Sequence, residues 1–187
     1  MTDRRFSPLH PERMSPEQKR VADVIQGGPR GGLRGPFNAL LRSPELADRV
    51  QKVGEYIRFH SSLPARLNEL AILIIARKWT AQFEWYAHHQ FAMKAGLDPA
   101  IGAAIAEGKR PNHMQDDEAA IYAFCTELLE ATQVSDAAFR AVADRFGEQG
   151  VIDLIGALGY YSLVSMVLNV DRYPLPQGIE PPLKALR

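Results

Sequence analysis

Cysteine is nearly missing from this sequence: Cys125 stands alone among 187 residues. A single cysteine makes an intrachain disulfide, a CxxC redox pair and a thiolate zinc site impossible. Excess charge is missing as well, with Lys plus Arg and Asp plus Glu both at 22. That balance argues against nucleic acid as the main partner, because phosphate neutralisation requires a basic face. It also gives no general attraction to an anionic membrane. Long apolar runs are absent; the most apolar window, residues 70–76, is far shorter than the roughly 20 residues that a bilayer requires. The opening residues MTDRRFSPLHPERM lack the apolar core of a signal peptide. A cytoplasmic location is therefore the default expectation, and a lone cysteine fits a reducing compartment. No alternating strand pattern and no repeat of fixed period appears.

What is present is helical punctuation. Hydrophobic residues make up 46% and charged residues 24%, an ordinary balance for a compact fold of this length. Ser15-Pro16-Glu17-Gln18 predicts a helix start with a capping box, and the helix should reach about Gln26. GGPRGGLRG (27–35) is a Gly-rich loop carrying Arg30 and Arg34, followed by a helical turn from Pro36 to Leu41. Ser43-Pro44-Glu45 opens an amphipathic helix to about His60 on Leu46, Val50, Val53 and Ile57. Pro64 opens a third helix, apolar nearly all round from Leu70 to Ile75 and therefore central. Thr80 is the expected cap of a fourth helix, which Gly96 stops. Further helices are expected from Asp98-Pro99 to Gly108, from Glu118 to Ala131, from Ser135 to Phe146 and from about Val151 to Val170. The expectation is one all-α domain at 15–173. An arm at 1–14, with a partner subunit as one surface for it, and a Pro-rich tail at 174–187 flank it.

The chemistry concentrates in TAQFEWYAHHQ (80–90). Glu84 and His88 stand four apart and share a helix face. A neighbouring carboxylate favours imidazolium, which makes His88 a proton carrier near neutrality. The plain alternative is an ion pair that only supports the helix. Glu69 strengthens the catalytic reading, because it sits inside LNELAILII, where an unpaired carboxylate is costly. Arg66 offers it a local partner. In one straight helix Glu69 and Glu84 would lie about 22 Å apart, so a shared site requires a reversal near Trp79-Thr80. His89 lies about 100° round the helix from His88 and cannot face the same site equally. His60 ends a helix and serves there as a favourable charge. Arg30, Arg34 and Arg77 are candidates for holding a substrate carboxylate, and solvated roles compete for each. Trp79, Phe83, Trp85 and Tyr86 suit a core or a subunit contact. No second spaced pair supports a metal site, so no metal and no cofactor is expected.

The segment ELAILIIARKWTAQFEWYAHHQFAMKAGL (69–97) resembles the carboxymuconolactone decarboxylase family, which includes alkylhydroperoxidase D-like proteins. A looser likeness runs from GPFNALLRSPELADRV (35–50) to GYYSLVSMVLNV (159–170). The resemblance implies an alkylhydroperoxidase D-like all-α bundle that assembles as a homo-trimer or homo-hexamer. Peroxidase members carry a Glu, then CxxC twelve residues later, then a His four residues after the second Cys. Here the Glu falls on Glu69 and the His on His88, whereas the cysteine positions hold Ala81 and Glu84. Thiol peroxidase chemistry needs both thiols, so hydroperoxide reduction is the disfavoured expectation. Decarboxylase members, which lack the pair and keep Glu-x-x-x-His, are the better match.

The resulting expectation is a decarboxylase-like lyase with cysteine-independent acid/base chemistry on a small organic acid or lactone, by decarboxylation or isomerisation. The resemblance implies a place in aromatic compound catabolism. His88 is the expected acid/base, Glu84 orients and charges it, and Glu69 is a second carboxylate. Arg34, Arg77 and Trp85 are the expected substrate contacts. The competing expectation is a non-enzymatic ligand-binding or scaffold oligomer.

Overall fold

The computed structural model describes residues 4–185 of the chain. The described residues form eight helices and no strand, so the protein is all-α. In chain order these are α1 (Pro16–Gly27), α2 (Phe37–Leu40), α3 (Pro44–Phe59), α4 (Ala65–Lys78), α5 (Gln82–Lys94), α6 (Pro99–Ala106), α7 (Asp116–Ala131) and α8 (Asp136–Asp171). The Ser15 hydroxyl accepts from the Gln18 amide, and the Gln18 side chain answers the Ser15 amide, which completes the capping box.

Helix α4 is the axis of the molecule. Every residue from Leu67 to Arg77 is buried, and α5, α6, α7 and α8 all pack on it. A helix buried on all sides needs apolar residues on all sides, which is the pattern of its sequence. Its polar side chains find partners in the surrounding fold, although Asn68 Oδ1 and Arg77 Nε have none among the described residues. Asn68 Nδ2 donates to the Ile57 carbonyl at 3.0 Å. Arg66 pairs with Asp117 at 2.7 Å and with Glu118, not with Glu69.

The reversal between α4 and α5 is present, and its chemistry differs from the expected one. Thr80 does not cap α5. It closes α4 in the left-handed region at φ +47°, the position glycine usually takes. The Ala81 amide donates to the Ala76 carbonyl at 2.8 Å and the Thr80 amide to the Arg77 carbonyl at 3.0 Å, the two bonds of a Schellman motif. Two side chains hold this turn. Arg77 Nη2 donates to Thr80 Oγ1 at 3.0 Å, and Asn169 Nδ2 donates to the Trp79 carbonyl at 2.8 Å. Conventional glycine versions of the stop end α5 at Gly96 and α6 at Gly108.

Helix α8 comprises the two helices expected at the C-terminal end, which meet at a kink at Gly147, where φ of +67° and ψ of 179° interrupt the helical backbone. Helix α8 is long and apolar enough to cross a membrane by length and composition, and 56% of its most apolar window is buried inside the protein. Asp153 on α8 fixes the α3–α4 connection by accepting from the Ser62 amide and hydroxyl, both at 2.7 Å, and from the Tyr56 hydroxyl at 3.0 Å.

The two flanking segments are part of the same fold. The described part of the N-terminal arm, from residue 4, lies on its own chain: Arg4 pairs with Asp171, the Phe6 amide donates to Asp171 Oδ1 at 3.0 Å, and the Leu9 amide donates to Asn38 Oδ1 at 2.8 Å. The Pro-rich tail docks too. Leu183 is buried, and its backbone exchanges two hydrogen bonds with the Gln82 side chain, at 2.7 and 3.0 Å.

Candidate active site

The reversal at Thr80 folds α5 back along α4, and it brings Glu69 to His88. His88 Nδ1 lies 2.7 Å from Glu69 Oε2, and His88 Nε2 lies 3.1 Å from Glu84 Oε1. The residues are 5% (His88), 8% (Glu69) and 4% (Glu84) exposed. Both ring nitrogens face a carboxylate, so only imidazolium, with a donor on each nitrogen, satisfies the arrangement. Burial by itself lowers the pKa of His88. The charge of Glu69, then that of Glu84, and their hydrogen bonds overturn this and raise it to about 9. At neutral pH the imidazole is therefore held as a cation. Tyr161 meets the ring edge-on at 4.8 Å and fixes its plane.

The three residues are not equivalent in access. His88 and Glu84 line a cavity of about 810 Å³, whereas Glu69 is not among its lining residues. Glu69 thus stands behind the imidazole and Glu84 stands at its front. Both carboxylates bond the ring and act on its charge.

The rest of the cavity wall comes from distant parts of the chain. The Gly-rich loop supplies Arg30 and Arg34, α3 supplies Arg58, the arm supplies Arg4, and the tail supplies Pro174 to Pro176. Arg34 is exposed, lines the cavity as expected, and has no hydrogen-bond or ion-pair partner among the described residues. Aromatic rings fill the remaining surface, among them Phe37, Phe83, Tyr160, Tyr161 and Tyr173. Glu84 is the one carboxylate on the described wall, against four guanidinium groups. Of these, Arg4 is neutralised by Asp171.

Two expected substrate contacts lie elsewhere. Arg77 is buried at the far end of α4, donating to the Ala106 carbonyl at 3.2 Å, the Lys184 carbonyl at 2.8 Å and Thr80 Oγ1. Its guanidinium ties α4, α6 and the tail together. Trp85 follows Glu84 by one residue, about 100° round the helix. It is buried in the core and stacks on His89 at 5.9 Å, outside the cavity. Cys125 is fully buried on α7, and burial pushes its thiol pKa upward, so it offers no thiolate. Among the described residues no group of three or more His, Cys, Asp or Glu side chains is arranged to hold a metal ion.

Sequence reasoning missed Arg58, Tyr160 and Tyr161 as cavity residues. Arg58 follows the core residue Ile57 on an amphipathic helix, and the tyrosine pair sits in a run, GALGYYSL, that is otherwise small or apolar. Polar tips on otherwise core-facing aromatics are a usable signal, because a buried phenol needs a partner. Comparison with family models finds no match, and no curated protein matches the chain.

Proposed function

We propose that this protein is a decarboxylase-like enzyme that performs acid/base chemistry on a small organic acid or lactone, without a cysteine nucleophile. One observation carries the reading: a buried imidazolium, charged by Glu69 from behind, meets an arginine-lined cavity at its front edge. A structural ion pair has no need of an open cavity beside it. A general acid does, because the proton must reach a bound molecule.

In this proposal the arginines hold the acid and His88 supplies the proton. For a decarboxylation, the carbon–carbon bond to the leaving carboxylate breaks and carbon dioxide departs. The electron pair passes into a conjugated carbonyl as an enolate. His88 gives a proton to the carbon, and the neutral imidazole recovers one from water. For an isomerisation, Glu84 removes a proton from one carbon, His88 returns one to another, and the Glu84 carboxyl then passes its proton to the neutral imidazole across their 3.1 Å contact. The proposal extends to an alkylhydroperoxidase D-like bundle assembling as a homo-trimer or homo-hexamer. The exposed apolar residues Ile152, Ile155, Met166 and Val170 along α8 support assembly.

The test is proton exchange. The protein is incubated in deuterated buffer with a panel of unsaturated small acids and lactones, and deuterium incorporation and carbon dioxide release are followed. His88→Gln should slow both by about 10²- to 10⁴-fold while preserving helicity. No reaction across the panel, or full activity in the variant, overturns the proposal.

A further inference from the structure

One wall of the cavity carries donors for which the protein supplies no acceptor. The Arg30 guanidinium makes a single hydrogen bond among the described residues, from Nη2 to the Tyr160 hydroxyl oxygen at 3.4 Å. Its Nε is buried and has no partner. Among the described residues no carboxylate pairs with it, and Glu84 is turned toward His88. Because Arg30 donates to the Tyr160 oxygen, the phenol keeps its own proton for another acceptor. Burial raises the Tyr160 pKa while the Arg30 charge opposes it, so the group is a neutral donor at ordinary pH. Arg58 acts on the same hydroxyl by charge, and it lies over the Phe91 ring at 4.6 Å with no carboxylate partner among the described residues.

The pair is held in place by shape. A Cβ on Gly54 would stand 2.1 Å from the Tyr160 ring end and hydroxyl and 2.5 Å from Arg30 Nη2. Only glycine leaves room for both. Phe37 lies beneath the guanidinium at 5.3 Å, and flat aromatic surface continues along the wall. An uncompensated cation and an unspent hydroxyl proton side by side form a receptor for an oxygen anion.

We propose that Arg30 and Tyr160 form a cradle for an oxygen anion of the ligand, and that the ligand is a flat, conjugated acid whose skeleton lies on the aromatic wall. This deepens the reading above and rests on it only in taking the cavity as the ligand site. In a decarboxylation the cradle holds the oxygen on which enolate charge develops, while His88 supplies the proton.

Three probes of one size test it: 4-nitrophenol below its own pKa, 4-nitrobenzoate, and neutral nitrobenzene. Binding is followed by absorbance and calorimetry. At least one of the two acids should bind tenfold or more tightly than nitrobenzene. If nitrophenol binds, it should bind as its coloured anion. Arg30→Met and Tyr160→Phe should each weaken that binding about tenfold or more, the usual size of a hydrogen bond to a charged group. Arg30→Lys should restore part of it. Preference for nitrophenol identifies an enolate-type oxygen and preference for nitrobenzoate a carboxylate; either supports the cradle. Equal binding of all three probes, or unchanged binding in Met and Phe variants whose circular dichroism is intact, overturns it. The His88→Gln variant should still bind. A wild-type protein that binds the acids yet exchanges no proton would sink the acid/base reading and leave the cradle standing.

Discussion

His88 Nδ1 and Glu69 Oε2 are 2.7 Å apart although 19 residues separate them in the chain. The bond joins the two central helices across the turn at Thr80. It also decides the charge of the imidazole, and several consequences can be measured.

Stability should fall with rising pH. The folded pKa of His88, about 9, lies above the ordinary value of 6.5. A group raised on folding contributes its full stability below its unfolded pKa, and that contribution is lost as pH climbs through the folded one. Unfolding free energy should therefore decline between about pH 6.5 and 9, by on the order of 3 kcal/mol at most, read as falling melting temperatures. His88→Gln should flatten this part of the profile.

The two carboxylates should separate by function. Glu69→Gln removes the larger of the two charges acting on His88. Its imidazole resonances should titrate at a markedly lower pH in NMR. Glu84→Gln should lower that pKa less while also altering the cavity wall. Loss of His88 itself should slow turnover by about 10²- to 10⁴-fold, the usual range for a general acid. If Glu69→Gln left the titration unmoved, the electrostatic account of the site would be wrong.

Gly54→Ala should damage the site by crowding alone. The added methyl meets the Tyr160 ring and the Arg30 guanidinium. Overpacking of this kind costs about 1–3 kcal/mol, read as a lower denaturation midpoint. Probe binding should fall with it although no charged or polar group has been removed.

Gly147→Ala provides the contrasting case. Nothing stands within 4 Å of a Cβ there, yet φ is +67° and ψ 179°, a conformation open to glycine almost alone. The substitution should cost about 1–3 kcal/mol in denaturant unfolding. Activity and probe binding should be untouched at temperatures where the variant is folded.

Much of the helical order was legible in the sequence because caps and stops are local chemistry. The Ser15–Gln18 box and the stops at Gly96 and Gly108 act within one turn, and the structure uses each of them. The reversal near Trp79-Thr80 was legible only as a condition, since Glu69 and His88 could share a site only if the chain turned back there, while Arg66 offered Glu69 a partner on its own helix. The mechanism of the turn was not legible. Thr80 is a common residue type at a helix start, and nothing local says that it will take a left-handed helix end instead. Arg77 misled for a related reason. A cation near the motif looks like a substrate contact, but its long side chain runs along the bundle to cap carbonyls of α6 and the tail. Tail docking through Leu183 was hidden because one apolar residue among prolines has no period to betray it. Arg58 and Tyr160 reach the cavity only through the packing of α3 on α8, which no local pattern encodes.

The cavity rim draws on the arm at Arg4, the Gly-rich loop, α3 at Arg58, α5, α8 and the start of the tail. No fragment or half-folded intermediate can hold such a ligand, because every stretch must be home at once. By mass action, any compound that occupies the hollow draws the whole folding equilibrium toward the native side, by RT ln(1 + [L]/Kd). A melting screen of metabolite libraries can therefore discover the natural occupant before any turnover assay exists.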